Sequence, residues 1–264
     1  MISVSELTVY PVKSGAGIGL QEATLDPFGL RGDRRWLVVS PQGHFLTQRD
    51  EPRMALLTAT PVSAGLSLAL DEDTLSVSAP DEGASERRVQ VWSDQVWARD
   101  AGDAVAAWLT SALGRECRLV YMPDDAVRRV DGLYASEGET VSFADGFPLL
   151  LISQASLADL NSRLPAPVPM NRFRPNIVVD GCEAFAEDGW RRLRIGAIEL
   201  TVAKPCSRCV MPSIDQATGE RDSVINRVLA SYRRRDGQVY FGQNLLYQHT
   251  GPIAVGDAVE VLDG

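Results

Sequence analysis

The chain has 264 residues, of which 45% are hydrophobic and 23% are charged, so it has the composition of a globular protein and the length of one large or two modest domains. No apolar run approaches the ~18 residues of a membrane span, which excludes transmembrane as well as disordered and collagenous classes. With 26 basic and 35 acidic residues the net charge is −9, so general nucleic-acid binding is not expected and an anionic ligand needs a local basic pocket.

The cysteine and histidine counts narrow the chemistry further. Four cysteines, at positions 117, 182, 206 and 209, are too few for a secreted disulfide scaffold. The first residues, MISVSELTVYPVKS, have neither a secretion nor a transit pattern, so we expect a cytoplasmic protein. Two histidines cannot form a His-rich metal cage and weaken a hydrolase interpretation.

The first half of the chain is predicted to consist mainly of short strands. Apolar segments bounded by Gly, Pro, Asp or Ser are typical of a sandwich or barrel, and they occur at 3–10, 35–39, 44–47, 56–60, 66–70, 75–78, 89–92 and 95–98. A helix follows at 101–113, where Val105, Leu109 and Ala112 share one face and Gly114 ends the segment.

The second half continues the same pattern. Strands are predicted at 119–122, 147–152, 177–179, 199–203, 239–247 and 258–262, and helices at 156–164 and 223–233. The polar segment 124–139 has no clear period and is predicted to connect two domains. The sequence therefore predicts a mostly β protein with inserted helices, in two lobes that divide near residues 115–125.

The segment with the clearest chemical potential is Lys204-Pro-Cys-Ser-Arg-Cys209. Structural zinc would need four ligands, and the other two cysteines are distant in sequence. A thioredoxin-like pair belongs at a helix N-terminus, which Pro212 disfavours. A single thiolate that ligates a soft transition metal beside Arg208 is a third interpretation, and two inert loop cysteines are a fourth.

Basic residues recur at turns next to strands. Lys13 and Ser14 precede two glycines, an arrangement that lets a phosphate approach backbone N–H groups and that an ordinary polar turn also explains. Arg34 and Arg35 enter a strand and are predicted to point to opposite faces. Arg172 and Arg174 repeat this pattern, where an ion pair to a carboxylate is the alternative. In an acidic protein these positions favour one buried anion held by arginine forks, a geometry that suits phosphate.

The motifs resemble those of a known family. The chain is similar to MOSC proteins that carry an N-terminal β-barrel module, a group that includes the mitochondrial amidoxime-reducing components and bacterial relatives. The resemblance spans nearly the whole chain, and it rests on YPVKS, GDRRW, LTQRDEPRM, FADGFPLLLIS, NRFRPNIVVDG, KPCSRC, SIDQATGE, FGQNLLYQ and VGDAVEVL, in this order.

The resemblance implies a molybdenum cofactor (molybdenum-molybdopterin) site. Residues 1–120 would form the N-terminal β-barrel module and residues 121–264 the MOSC domain. Cys209 would be the metal ligand and the catalytic residue, and Cys206, Cys182 and Asp145 match motif positions without an assigned role. The residues implied to bind the cofactor are Lys13, Ser14, Arg34, Arg174, Asn176, Ser207, Arg208 and Cys209.

The implied reaction is the reduction of small N-hydroxylated substrates, such as amidoximes and N-hydroxylated bases, with two electrons and two protons. We expect electrons from a separate ferredoxin-like or flavoprotein donor, because the chain lacks the four-cysteine pattern of a plant-type ferredoxin. Neither a nucleic-acid nor a membrane partner is expected, nor is pyridoxal phosphate. The alternatives are a MOSC-type sulfur carrier or sulfurtransferase, and a protein that binds and delivers the cofactor.

Overall fold

A computed structural model describes residues 1–135 and 138–264. In these ranges strands dominate, as the sequence predicted for a mostly β fold with inserted helices. The α-helices are α1 Asp103–Leu113, α2 Gln154–Arg163 and α3 Val224–Tyr232, and single 3-10 turns occur at Pro52–Leu56, Met170–Arg172, Ala186–Asp188 and Met211–Ser213. The strands are β1 Ser3–Val9, β2 Ile18–Leu20, β3 Glu22–Asp26, β4 Gly29–Leu30, β5 Trp36–Val39, β6 Thr58–Val62, β7 Gly65–Leu70, β8 Asp73–Ser78, β9 Glu86–Val91, β10 Asp94–Asp100, β11 Arg118–Tyr121, β12 Leu149–Ser153, β13 Ile177–Asp180, β14 Arg192–Ile195, β15 Ile198–Ser207, β16 Arg234–Arg235, β17 Gln238–Tyr247, β18 Gly251–Ala254 and β19 Val259–Asp263.

The largest sheet joins both ends of the chain. Its order is β19-β14-β15-β17-β12-β13-β1-β2, with β16 paired to β17. β1 runs antiparallel to β13, and β3 pairs with β18. Leu7 and Leu25 therefore lie in one core with Ile177 and Leu245. The division at residue 120 stays a prediction, and the packing of β1 to β4 connects the two sides of it.

The remaining sheets form the N-terminal lobe. A four-stranded sheet has the order β5-β11-β10-β9, and β6, β7 and β8 form a three-stranded meander. The apolar face of α1, with Val105, Leu109 and Leu113 at helical spacing, packs into the core beside β7 and β11. Gly114 ends the helix in the left-handed conformation at φ 65°, as a C-terminal glycine does.

A local sequence signal accounts for the start of α2. Ser153 caps α2 by accepting a hydrogen bond from the Ser156 backbone N–H.

The predicted strand at 44–47 is reduced to isolated bridges, one between His44 and Gln90 and one between Phe45 and Val39. In the predicted connection 124–139, residues 136–137 lie outside the described residues, and the described remainder contains only a single bridge at Arg129.

A helix that crosses a membrane must be both long and apolar. Among the helices in the described ranges, none combines the length and the apolar character that crossing a bilayer requires.

Candidate active site

A cleft opens between the loops that follow β1 and β15, and it collects every residue that the motifs implied for the site. Its volume is about 800 Å³ when the solvent-open mouth is included. Asp145 and Cys206 also line it. The residues that the motifs implied for cofactor binding all line this cleft: Lys13, Ser14, Arg34, Arg174, Asn176, Ser207, Arg208 and Cys209. That they bind a cofactor stays a prediction.

Three of these residues have an uncommon backbone conformation. Ser14, Arg34 and Arg174 have φ values of 66°, 48° and 57°, a left-handed region in which a non-glycine residue is destabilised by ~1–2 kcal/mol. Such conformations persist where the surrounding structure enforces them, and they concentrate at functional sites. The backbone thus turns three separate loops so that their side chains meet in the cleft.

Tyr10 organises two of the arginines. The guanidinium carbons of Arg34 and Arg174 lie 4.3 and 4.2 Å from the centre of its ring. Burial raises the pKa of Tyr10 to about 12 and lowers that of Arg174 to about 10, so at neutral pH the phenol is uncharged and the guanidinium is charged. Asp33 accepts hydrogen bonds from Arg34 at 2.6 Å and from the Tyr10 backbone at 2.8 Å.

Two arginine donors in this cleft have no partner. The buried Nη2 of Arg174 and the buried Nε of Arg208 make no hydrogen bond with the described residues, whereas Nη1 of Arg174 donates to Gln216 at 3.0 Å. A buried charged donor without an acceptor is destabilising by a few kcal/mol. The arrangement therefore favours an anionic ligand that supplies the missing acceptor.

Lys13 and Asp145 form an ion pair at the wall of the cleft. Nζ of Lys13 donates to Asp145 at 2.6 Å, and the Trp92 indole N–H donates to the same oxygen at 3.3 Å. Burial lowers the pKa of Lys13 to about 8, although Asp145 partly opposes this shift. Desolvation disfavours ionisation of Asp145, but the Lys13 ammonium outweighs it and holds the pKa of that carboxyl well below its ordinary value.

The backbone N–H groups that follow Ser14 are largely engaged within the protein, which favours the alternative of an ordinary polar turn. The N–H groups of Gly15 and Ala16 donate to the Val12 and Leu57 carbonyls. A Cβ at Gly17 would lie 2.6 Å from the ring of Tyr10, so this glycine is needed for packing. Around this turn an anion must therefore meet side chains instead.

The two cysteines of the CSRC motif differ in position. Cys206 is the penultimate residue of β15, whereas Cys209 lies beyond the strand and is exposed. Nη1 of Arg208 donates to Sγ of Cys206 and Nη2 of Arg49 to Sγ of Cys209, each at 3.1 Å. The pair precedes only the short turn Met211–Ser213, so it lacks the helix N-terminus of a thioredoxin-like site.

The other cysteines are not at the cleft. Cys117 is buried in the N-terminal core, where burial raises its pKa to about 11, and Cys182 packs against the core of the large sheet. In the described residues, no group of three or more His, Cys, Asp or Glu side chains could hold a metal. A metal bound by Cys209 would thus depend on a non-protein ligand for its other donors.

The two arginines of each motif, Arg34 with Arg35 and Arg172 with Arg174, have different contacts. Arg34 faces the cleft, while Arg35 is buried on the other side and donates to the Met122 carbonyl and to Asp124. The two side chains point apart as predicted, but both residues precede β5 and Arg34 has a left-handed backbone, so a turn and not strand alternation separates them. Arg172 forms an ion pair with Asp215 at 2.7 Å, the alternative considered for that motif. Only Arg174 of that pair lines the cleft.

Asn176 is a cleft residue whose amide contacts protein groups. Its Oδ1 accepts hydrogen bonds from Arg34 and from the Leu150 backbone, and its Nδ2 donates to the Thr8 carbonyl. These contacts fix the Arg34 guanidinium, which indicates a positioning role.

Sequence reasoning missed the contribution of the LTQRD motif. Arg49 and Thr47 line the cleft. The side-chain amides of Gln48 and Gln216 bond reciprocally at 3.0 Å, and Gln48 also donates to the Ser14 carbonyl. The arginine in an otherwise polar turn was the available signal, but nothing local indicated that it reaches Cys209.

Comparison with known proteins agrees with this arrangement of motifs. Residues 1–116 match the family described as the MOSC N-terminal beta barrel domain, and residues 138–260 match the MOSC domain. Mitochondrial amidoxime-reducing component 1 of Homo sapiens is 38% identical over 98% of this chain and 83% of its own length. The corresponding Mus musculus protein is 36% identical over 98% and 82%, and mitochondrial amidoxime reducing component 2 of Rattus norvegicus is 36% identical over 97% and 82%. The chain therefore belongs to the family of MOSC proteins with an N-terminal MOSC β-barrel domain, as its motifs predicted.

Proposed function

We propose that this protein is a molybdenum cofactor-dependent oxidoreductase that reduces amidoximes and other N-hydroxylated bases. Relatives that align with nearly the whole chain are named for amidoxime reduction. The observation that carries the proposal is the meeting of an exposed thiol, Cys209, with a cationic cleft in which the buried Arg174 Nη2 has no acceptor among the described residues.

The residues present fit a pterin-based cofactor with an anionic phosphate. Lys13, Arg34, Arg174 and Arg208 place positive charge along the cleft, in a chain whose net charge is −9. A guanidinium fork suits phosphate oxygens, and a cysteine thiolate is a ligand that soft metals prefer. When bound there, the cofactor would supply the two-electron redox chemistry.

The chain's own residues would orient the cofactor and the substrate. Asp33 and Asn176 hold the Arg34 guanidinium, and Tyr10 supports the arginine planes, so little reorganisation is needed when an anion binds. Lys13 Nζ, with a pKa of about 8, carries a proton at neutral pH. The rings of Phe147 and Phe173 give the cleft flat apolar surfaces that suit an aromatic amidoxime.

Electrons would arrive from a separate ferredoxin-like or flavoprotein donor, and a cytoplasmic location would keep Cys209 reduced. A sulfur carrier or a cofactor-delivery protein would use the same cleft. Cys206 beside Cys209 is compatible with sulfur transfer, but neither the relatives' names nor the unpaired arginine donor favours it.

The decisive assay uses protein made in a host that synthesises the cofactor, with benzamidoxime as substrate and reduced methyl viologen as electron donor. We expect benzamidine to form with the unaltered protein and with Cys182→Ser, the control for loss of a thiol outside the cleft. Cys209→Ala should form none. A sulfur carrier or delivery protein would give no benzamidine from any variant, and full activity of Cys209→Ala would exclude that residue as the essential thiol.

A further inference from the structure

The loop that carries Cys209 reaches the protein surface. Val210 has 54% of its surface exposed although it is apolar, and Cys209 is itself exposed. Asn226 on α3 donates to the Cys209 carbonyl at 2.8 Å, so this helix is fixed against the same loop. A protein that passes electrons to the cleft can thus approach Cys209 from the face that Val210 and α3 form.

The chain segment that forms this face is richer in basic than in acidic residues. The segment 204–239 contains seven basic and four acidic residues, whereas the whole chain has a net charge of −9. One of the four acids is engaged in an ion pair, since Asp215 pairs with Arg172, and Asp222 is exposed while it accepts the Val224 backbone N–H. Glu220 and Asp236 are exposed as well.

Three exposed arginines lie on α3 and on the β16–β17 hairpin, and we call Arg227, Arg234 and Arg235 the basic rim. Arg227 follows Asn226 on α3. Arg234 pairs with Val239 across the β16–β17 hairpin, and the Val239 carbonyl accepts the Arg208 backbone N–H at 2.7 Å. Two strand spacings, ~10 Å in total, therefore separate the Arg234 backbone from the cysteine loop.

The basic rim has charge that the fold does not use. Arg227 and Arg234 have no side-chain hydrogen bond or ion pair within the described parts of the chain, and Arg235 reaches Asp188 only at 3.9 Å. By contrast, Arg233 donates to Asp188 at 2.6 Å and stacks on Phe185. An exposed apolar centre with a rim of uncompensated charge is typical of transient interfaces, in which charge steers association.

We propose that the basic rim around Val210 is the docking surface of an acidic one-electron carrier protein that delivers electrons to the cleft. This inference rests on the proposed reductase function. The partner's surface must be acidic because the rim is basic in a molecule that otherwise repels polyanions. The complex must be short-lived because the exposed apolar centre is small. Association should be strongly salt-dependent, since the charges involved are solvent-exposed.

The test compares two electron donors. Benzamidoxime reduction is measured with a reduced plant-type ferredoxin of net negative charge, and separately with reduced methyl viologen, which needs no docking surface. The variant is Arg227→Glu/Arg234→Glu, which removes no side-chain hydrogen bond or ion pair of the described residues. The matched control is Arg31→Glu/Arg115→Glu, since these two exposed arginines of the N-terminal half also lack side-chain partners in the described ranges.

We expect kcat/KM for ferredoxin to fall about tenfold or more in the rim variant and to change less than about twofold in the control. Both variants should retain methyl viologen activity and molybdenum content. Added salt should lower the ferredoxin rate of the unaltered protein and have little effect on the rim variant. Equal ferredoxin kinetics in the two variants, or wild-type turnover with methyl viologen but none with ferredoxin, would overturn the proposed surface. Absence of turnover with either donor would instead count against the reductase function.

Discussion

Nη2 of Arg49 donates to Sγ of Cys209 at 3.1 Å across a separation of 160 residues. The Arg49 carbonyl accepts a hydrogen bond from Arg221 at 2.6 Å, and its guanidinium lies 4.8 Å from the centre of the Trp92 ring. A loop of the N-terminal lobe is therefore anchored beside the cysteine loop of the other lobe. The surroundings of the thiol depend on both lobes at once.

Arg49→Gln should impair the reaction and leave the fold intact. The residue is half-buried at the mouth of the cleft, and a hydrogen bond from a charged donor contributes ~1.5–3 kcal/mol. We expect kcat to fall by about 10- to 100-fold with a smaller change in KM, and the absorption spectrum of the cofactor-loaded protein to shift. Arg49→Lys, which keeps the charge, should recover part of the rate. A kcat within twofold of wild type in Arg49→Gln would show that the contact has no role in turnover.

Two substitutions at Ser14 should separate backbone strain from ligand binding. Ser14 has φ 66°, so Ser14→Gly should stabilise the cofactor-free protein by ~1 kcal/mol, equivalent to about 2 °C in Tm. Ser14→Ala keeps the unfavourable conformation and should give no such gain. Both variants lose the hydroxyl and should retain less molybdenum after dialysis. Wild-type metal retention in both would mean that the Ser14 hydroxyl does not contact the cofactor.

The lowered pKa of Lys13 predicts a pH dependence of anion binding. As pH rises through about 8, Lys13 loses its proton in the folded state, so the cleft loses a positive charge and should bind sulfate several-fold more weakly. Stability changes in the opposite direction. Because the pKa in the folded protein lies below the ordinary 10.5, the unfolded chain binds more protons between these values, and the contribution of Lys13 to stability rises with pH in that window.

Calorimetric titration of cofactor-free protein with sulfate, from about pH 6.5 to 9.5, measures this effect. Sulfate is suitable because its own charge does not change in that range. Lys13→Arg keeps its charge throughout and should show no step near pH 8. An identical pH profile in wild type and Lys13→Arg would disprove the assignment of the step to Lys13.

Arg172 and Arg174 should respond differently to substitution even though they are two residues apart. Arg172→Ala breaks the ion pair with Asp215, whose side chain is 33% exposed, so we expect a loss of about 2–3 kcal/mol in unfolding free energy, less than for a fully buried pair. Arg174→Met removes the unpaired buried donor and should reduce molybdenum retention about tenfold with little change in the Tm of the cofactor-free protein. Thermal melts and metal analysis of both variants test this contrast, which fails if the two lose metal equally.

Short sequence patterns predicted the helices and strands that depend on interactions between residues close in sequence. The helical spacing of Val105 and Leu109 and the cap at Ser153 gave α1 and α2. Strands β2, β3, β4, β14, β16 and β18 were missed. Each has five residues or fewer, and such short segments form because long-range pairing supports them.

The site was predictable through its motifs but not through its geometry. The family resemblance grouped Lys13, Arg174 and Cys209, which the fold brings into one cleft. Nothing in the sequence near Ser14 indicated that the serine, and not the following glycine, takes the left-handed conformation. The contact of Arg49 with Cys209 also depends on how the two lobes pack, which local patterns do not encode.

X-ray absorption at the molybdenum edge tests the central claim most directly. Protein purified from a cofactor-producing host should contain molybdenum in an equimolar amount, with a sulfur shell that loses one scatterer in any Cys209→Ser protein that retains metal. Cys182→Ser should leave the sulfur shell unchanged. A sulfur shell identical in wild type and Cys209→Ser, or purified wild-type protein without molybdenum, would contradict the assignment of Cys209 as the metal ligand.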